Sequence, residues 1–420
     1  MNVGLWIKKR ADLQPDKTAI IFQDQQVSYK RLNERTNMAA GALTAMGVSK
    51  GDRVAALLMN CPEFVELYFA CSKMGAIFLP LNFRLTAHEL EYQMRDSAPE
   101  ALFYSEGLAG VVESLKDLLK EEDIRYVQSG EGNSESATSY EDLISGQEPL
   151  EPEEDVESED PQVIMYTSGT TGSAKGALLS HRKTYWNTFN AELFFDMKQS
   201  DVMLINLPLF HSGGLNVGMV PVIYKGATAV LHESFDPERA CADIEKYRVT
   251  LFGGVPTMYN MILRGGYLDK YDLSSLRVLG AGGETVPMFL IEEFQKLGVP
   301  FIQLFGQTET SIICSLSEVD SIRKAGSIGR PVFHTEVKIV DERGEETAPG
   351  EVGEIILSGP TLMTGYWNRP EATAETIRDG WLHTGDLAYR DDEGFLYFAD
   401  RKKDMFISGG ENVYPAEVES

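Results

Sequence analysis

An α/β fold, with helices laid over sheets, is predicted by three observations. Apolar runs of strand length recur along the chain, stretches of helical period separate them, and Gly or Pro marks the junctions. The chain has 420 residues, 43% hydrophobic and 24% charged, which supplies a substantial core and rules out a disordered polymer.

The elements follow in order. Residues 29–46 carry apolar side chains at helical spacing and stop at Gly47. RVAALLM at 53–59 reads as a buried strand, 62–74 as an amphipathic helix and AIFLP at 76–80 as a short strand. Residues 129–160 are polar and acidic, and they read as a surface loop with a solvated charge run and no function. VIMYTS follows as a strand, then VMLINLP, ATAVLH, VTLFGG and RVLGAGG restore the α/β rhythm up to about 304. From about 311 the texture becomes β-rich, with TEVKIVD, GEIILSG and GFLYFAD set between Gly and Pro turns.

The formal charge is −26, from 64 acidic and 38 basic side chains. Such a field disfavours nucleic acid and anionic membrane surfaces, so an anionic ligand needs a local site rich in N–H groups or positive charge. Cys61, Cys71, Cys241 and Cys314 form no CxxC pair, which argues against zinc or redox chemistry. There is no apolar leader and no apolar run of membrane-spanning length, so a soluble, cytoplasmic protein is expected.

The most informative segment is YTSGTTGSAKG at 166–176, placed directly after a strand. Glycine lets backbone N–H groups approach phosphate oxygens, Thr167, Ser168, Thr170 and Thr171 add donors, and Lys175 adds a point charge. Gly169 and Gly172 stand within it, yet Ala174 precedes the lysine, so this is not a Walker A loop.

This loop resembles the phosphate loop of the adenylate-forming superfamily. The resemblance continues in order through LPLFHSGG (207–214), GAGGET (280–285), FGQTE (305–309), GWLHTGDLA (380–388) and DRKKDMFISGGENVYPAEVE (400–419). It implies the layered αβαβα N-terminal body of that superfamily, made of two α/β subdomains and a small distorted β-barrel. The implied spans are 1–180 ending in the phosphate loop, 181–310, a β-rich 311–400, and 401–420 as hinge and start of a further domain.

It also implies an activity: ATP-dependent joining of a carboxylic acid to AMP and then to the thiol of coenzyme A. Loading of a carrier protein stands as the alternative, and a bare nucleotide-binding module as a third reading. The implied roles are specific. Lys175 holds the β- and γ-phosphates, Thr308 meets the α-phosphate, and Glu309 ligates Mg²⁺. Phe305 stacks on adenine, with Gly306 and Gln307 beside it, and Gly282, Gly283, Glu284 and Thr285 form the adenine-side segment. Asp386 accepts from the ribose hydroxyls, aided by Arg401, and His211 positions the acyl carboxylate. Lys403 is the hinge, and Gly409 and Gly410 line the thiol path.

Candidates for the acyl pocket are Trp186, His211, Gly213, the 253–256 segment, Ala281 and Gln307. HSGGLN and FGGVPTMYNMI resemble the segments of fatty-acyl and aryl-acid CoA ligases, which implies a medium- or long-chain fatty acid, with a cinnamate-like acid close behind. The partners expected are this small acid, ATP and coenzyme A; a homodimer stays open. The last residues look like a helix start with nothing after, and the family's C-terminal lysine is missing. The sequence therefore reads as cut, and weak adenylation by this chain is the expectation.

Overall fold

The apolar run at 54–57 has no face fit for water, and it becomes the body of a central strand, Arg53–Leu57, with Val54, Ala55, Ala56 and Leu57 fully covered. The computed structural model describes residues 2–130, 138–167 and 174–402, together with the backbone of 406–408 and 411–413. The chain divides into two compact units. The first comprises Met1–Phe189, Met197–Phe235 and Met363–Asn368; the second comprises Asn190–Asp196, Asp236–Leu362 and Arg369–Ser420.

In the first unit one sheet runs in the order Gly365–Tyr366, Lys175–Ser180, Pro161–Thr167, Ile77–Pro80, Arg53–Leu57, Ala101–Ser105, Arg125–Ser129, Thr138–Ser139. From Pro161–Thr167 to Thr138–Ser139 the pairs are parallel, which requires the helical crossovers that the sequence supplies. A second group pairs Val202–Ile205 with Thr228–Leu231, and Thr228–Leu231 with Thr18–Phe22, all parallel.

The helix Pro62–Met74 starts on a proline and stops at Gly75, whose φ of 70° no branched residue would accept readily. Its spacing reads as amphipathic, yet every residue from Phe64 to Met74 is buried. Glu66 and Lys73 are covered, and each meets partners from other segments. The Glu66 carboxylate accepts from Arg35 at 2.6 Å and from the Tyr140 hydroxyl at 2.8 Å, and the Lys73 ammonium donates to Asn33, Asn37 and Glu151. A pattern of residue types registers those charges as exposed, whereas the fold buries them as pairs.

The acidic stretch departs from expectation for the same reason. It contains the helix Tyr140–Ser145, anchored by buried Tyr140 and Ile144. Its carboxylates also pair with cations of the same unit: Glu141 with Arg35, Glu151 with Lys73, Asp160 with Lys50 and Glu159 with Arg182.

In the second unit Leu251–Gly254, Val278–Gly282 and Phe301–Gln307 pair in parallel, and Ser311–Leu316 and Arg330–Pro331 add antiparallel strands. Helices alternate with the parallel strands. The helix Pro237–Tyr247 is capped by the Asp236 side chain, which accepts from the Arg239 amide at 2.7 Å. The β-rich part is a five-stranded antiparallel sheet in which Glu336–Val340, Gly353–Ser358, Trp381–Arg390 and Ile377–Arg378 lie in that order, with Leu396–Arg401 also on Trp381–Arg390. Among the described residues no helix is long and apolar enough to cross a membrane.

Candidate active site

Ligands in open α/β sheets gather outside the carboxyl ends of parallel strands. In the second unit those ends are Gly254, Gly282 and Gln307. A Cβ at Gly282 would lie 2.6 Å from Leu304 Cδ1 and 2.9 Å from the Leu304 carbonyl oxygen, so no side chain fits there. Gly283, at φ 86°, then turns the chain outward, and Glu284 and Thr285 stand exposed beyond it.

The strand Phe301–Gln307 returns through a turn of only three residues, Thr308, Glu309 and Thr310, into Ser311–Leu316. Buried Thr310 closes the turn, its hydroxyl accepting from the Gln307 amide at 3.1 Å and donating to the Ser311 carbonyl at 3.1 Å. Thr308 and Glu309 are therefore held at a hairpin tip with both side chains half-exposed. Phe305 is half-buried below the tip, its ring 6.2 Å from Phe398.

Asp386 comes to this hairpin from the strand Trp381–Arg390. Gln307 Nε2 donates to its carboxylate at 2.7 Å, and Arg401, its register partner on the adjacent strand, places Nε 3.7 Å away. Asp386 is 4% exposed. Burial pushes its pKa up to about 6, although Arg401 and Gln307 favour the charged form; Glu309 and Glu354 add to the rise. Gln307, Thr308, Glu309, Asp386 and Arg401 thus share one end of the second unit. Such a set can accept from a diol, hold a cation and meet an anion through a hydroxyl. Among the described residues no group of three or more His, Cys, Asp or Glu could hold a metal. A cation there would draw mainly on phosphate oxygens and water, with one carboxylate from the hairpin, and that donor set suits magnesium.

In the first unit the antiparallel pair Pro161–Thr167 and Lys175–Ser180 brings Thr167 opposite Lys175. Lys175 Nζ lies 5.3 Å from the ring centre of Tyr366, within cation–π range. Gly176 is required here, since a Cβ would meet Ile164 Cγ2 at 2.7 Å. Ser168, Gly169, Thr170, Thr171 and Gly172 lie outside the described residues, as do Lys403, Gly409 and Gly410.

His211 stands exposed on the loop between Val202–Ile205 and the π-helical turn Gly213–Met219, its ring 4.4 Å from Phe210. Partial loss of hydration and the nearby charge of Arg84 hold its pKa below the usual histidine value. A neutral imidazole at pH 7 can orient a carboxylate by one hydrogen bond, but it brings no positive charge. Gly214 behind it tolerates no side chain, because a Cβ would meet the Pro208 carbonyl oxygen at 2.3 Å.

Sequence reasoning missed the support beneath Thr167 and Lys175. The Tyr166 hydroxyl donates to Asp96 at 2.7 Å, the Tyr92 hydroxyl donates to the Ala174 carbonyl at 3.0 Å, and Trp367 Nε1 donates to the Asp96 carbonyl at 3.0 Å. Tyr92 and Asp96 sit on the helix Ala87–Ser97, where each looks like an ordinary surface residue. The aromatic pair at 366–367 was the one available signal.

A family model described as AMP-binding enzyme matches residues 7–367. Feruloyl-CoA synthase of an Amycolatopsis species is 41% identical over 420 residues, covering 100% of this chain and 82% of that protein. Among solved structures, a fatty acyl CoA synthetase of Mycobacterium tuberculosis superposes with a TM-score of 0.91 at 32% identity, covering 100% of this chain and 82% of that one. The O-succinylbenzoate coenzyme A synthetase of Bacillus subtilis, in complex with ATP and magnesium ion, gives a TM-score of 0.87 at 35% identity, covering 99% of this chain and 83% of that one.

Proposed function

This chain belongs to the AMP-binding enzyme family, and from that premise we propose an ATP-dependent acid–CoA ligase acting on an aromatic carboxylic acid. One observation carries the reading. The ordered motifs of an adenylate-forming enzyme occur in a chain 41% identical along its whole length to a CoA ligase, and the motif residues Gln307 and Asp386, 79 positions apart, meet in a hydrogen bond.

In the first step a carboxylate oxygen of the acid attacks the α-phosphorus of ATP. The new P–O bond forms as the bond to the β-phosphate oxygen breaks, and pyrophosphate leaves. In the second step a CoA thiolate attacks the acyl carbonyl, the C–O bond to phosphate breaks, and AMP leaves. Both steps bring anions together, so the protein must neutralise charge and fix the line of attack. Lys175 and the Thr167 stem serve the outer phosphates. Thr308 donates to the α-phosphate, Phe305 and the 282–285 segment flank the base, and Asp386 with Arg401 fixes the ribose. Glu309 would hold magnesium together with phosphate oxygens, and the bound ion would supply charge neutralisation at the phosphates. His211, neutral, orients the incoming carboxylate, which needs no general base because it is already ionised.

An aromatic acid is favoured over a fatty acid because the feruloyl-CoA relative stands at 41% identity and the fatty acyl structure at 32%. A panel of hydroxycinnamates, benzoates and C8–C16 fatty acids, assayed with ATP, Mg²⁺ and CoA, tests this. An aromatic acid is expected to exceed every fatty acid in kcat/KM by at least about tenfold, on the scale of one or two methylene-sized pocket mismatches. The reverse order would overturn the choice of acid. An acid-loaded carrier protein without any acyl-CoA would overturn the choice of acceptor.

Glu309→Gln tests the metal role. It keeps size and hydrogen bonding but removes the charge, so the Mg²⁺ concentration for half-maximal pyrophosphate exchange should rise about tenfold or more, the loss of roughly 1.4 kcal/mol or more of ion attraction. An unchanged magnesium titration would remove Glu309 from the metal site.

A further inference from the structure

The strands Pro161–Thr167 and Lys175–Ser180 lead into and out of the proposed phosphate loop, and one helix reaches the loop-side end of both. The helix Ala87–Ser97 is fixed at its start by a capping box, in which Glu89 accepts from the Thr86 amide at 2.8 Å and the Thr86 hydroxyl accepts from the Glu89 amide. Its inner face packs Leu90 and Met94 into the core that also holds Ile164 of the entering stem. From this rigid base two side chains project to the loop. Asp96 accepts from Tyr166 at the end of the entering strand at 2.7 Å, and Tyr92 donates to the carbonyl of Ala174, next to Lys175, at 3.0 Å. The rings of Tyr92 and Tyr166 meet edge to face at 6.4 Å, and Trp367, whose own amide donates to Gly176 at 2.8 Å, closes the arrangement by donating its indole N–H to the Asp96 carbonyl.

We infer that Tyr92 and Asp96 are positioning residues for ATP, setting the angle at which Thr167 and Lys175 are presented to the phosphates. The inference rests on the reading of 166–176 as a phosphate loop. Neither residue lies within the recognised motifs. Asp96 takes a proton-donating partner on the entering side and Tyr92 supplies a donor on the leaving side, so the two bonds hold opposite ends of one loop to one helix. Burial beside Asp96 holds the Tyr166 hydroxyl well above the usual tyrosine range, which keeps it a donor.

Tyr92→Phe deletes the hydroxyl alone and leaves the ring contact with Tyr166. It is expected to raise the Kd and KM for ATP about fivefold to tenfold, the equivalent of one lost hydrogen bond, while kcat and the melting temperature stay close to wild type. Asp96→Asn keeps an oxygen able to accept from Tyr166 and should retain near-wild-type ATP affinity, whereas Asp96→Ala should match or exceed the Tyr92→Phe defect. Lys175→Ala serves as the reference. If the wild-type chain binds MgATP in calorimetry and Lys175→Ala weakens it, the phosphate-loop reading stands. Unchanged ATP affinity in Tyr92→Phe would then overturn the positioning role, as would a defect that appears only with a lowered melting temperature. Failure of Lys175→Ala to alter binding would overturn the loop reading itself.

Discussion

Replacing Asp386 by asparagine is expected to raise the melting temperature at pH 7.5 and to weaken nucleotide binding by about 10- to 100-fold in the same protein, the loss of one or two charge-assisted hydrogen bonds. The two effects have one origin. Asp386 is buried with a pKa raised to about 6, against an ordinary value of 3.8. The folded chain therefore binds a proton more tightly than the unfolded chain, and ionising this group opposes folding. The penalty is absent below about pH 4, where both states are protonated. It grows as pH rises through 6 and is complete above that. A shift of about two units corresponds to an upper bound of roughly 3 kcal/mol, within which the attraction of the carboxylate to Arg401 is already counted. Asparagine keeps an oxygen to accept from Gln307, so the local geometry survives. The stability gap between variant and wild type should consequently open between pH 4 and 6, as followed by thermal unfolding across pH. Over the same interval nucleotide affinity of the wild type should fall as pH is lowered, because a protonated carboxyl is a poor acceptor for two ribose hydroxyls. A variant that unfolds earlier than wild type at pH 7.5, or one that binds nucleotide as well, would break the link between the buried charge and the ribose.

Much of this architecture is written in local pattern. The 53–57 strand and the 76–80 strand are legible because a strand buried on both faces needs an uninterrupted apolar run, and few other structures do. The hairpin carrying Thr308 and Glu309 is legible only through its motif. Its physical basis, the Thr310 hydroxyl bonding across the turn, depends on a residue that looks like any other threonine. What escapes the sequence is pairing at long range. Glu66 and Lys73 read as the polar face of a helix, yet they are buried because Arg35 and Glu151 arrive from elsewhere in the chain. The acidic stretch reads as solvated for the same reason. Tyr92 and Asp96 are the clearest case at the site: nothing in AHELEYQMRDS separates them from solvent-facing neighbours until Tyr166, Ala174 and Trp367 are seen beside them. The choice of acid is the least legible part, since a pocket is the sum of side-chain shapes, and no short motif encodes that sum.

Gly306→Ala should strongly impair adenylation while the first unit stays folded. The cause is steric. A Cβ at Gly306 would sit 2.1 Å from the Ser311 carbonyl oxygen and 2.9 Å from its carbon, and backbone cannot rotate away as a side-chain tip can. Register shifts between Phe305 and Gly306, and Ser311, which precedes the glycine's register partner Ile312, itself sits at φ 66°, so the hairpin already holds a left-handed residue beside this contact. Relief requires the strands to part at this point, which carries Gln307 away from Asp386 and turns Thr308 and Glu309 off their line. The expected result is a fall in pyrophosphate exchange of about 100-fold or more, the order of effect seen when catalytic groups are displaced by an ångström. Destabilisation of about 1–3 kcal/mol, typical of overpacking, should accompany it and appear as an earlier unfolding transition of the second unit. Phe305→Tyr makes the informative control, because it alters the neighbouring residue without touching this backbone contact, and it should retain nucleotide affinity. Hydrogen exchange over 301–316 distinguishes the outcomes. Faster exchange confined to this hairpin, with loss of activity, places the defect where the clash is. Wild-type exchange and activity in Gly306→Ala would mean that the two strands are not as close as 2.1 Å demands, and the geometry assigned to the catalytic tip would fall with them.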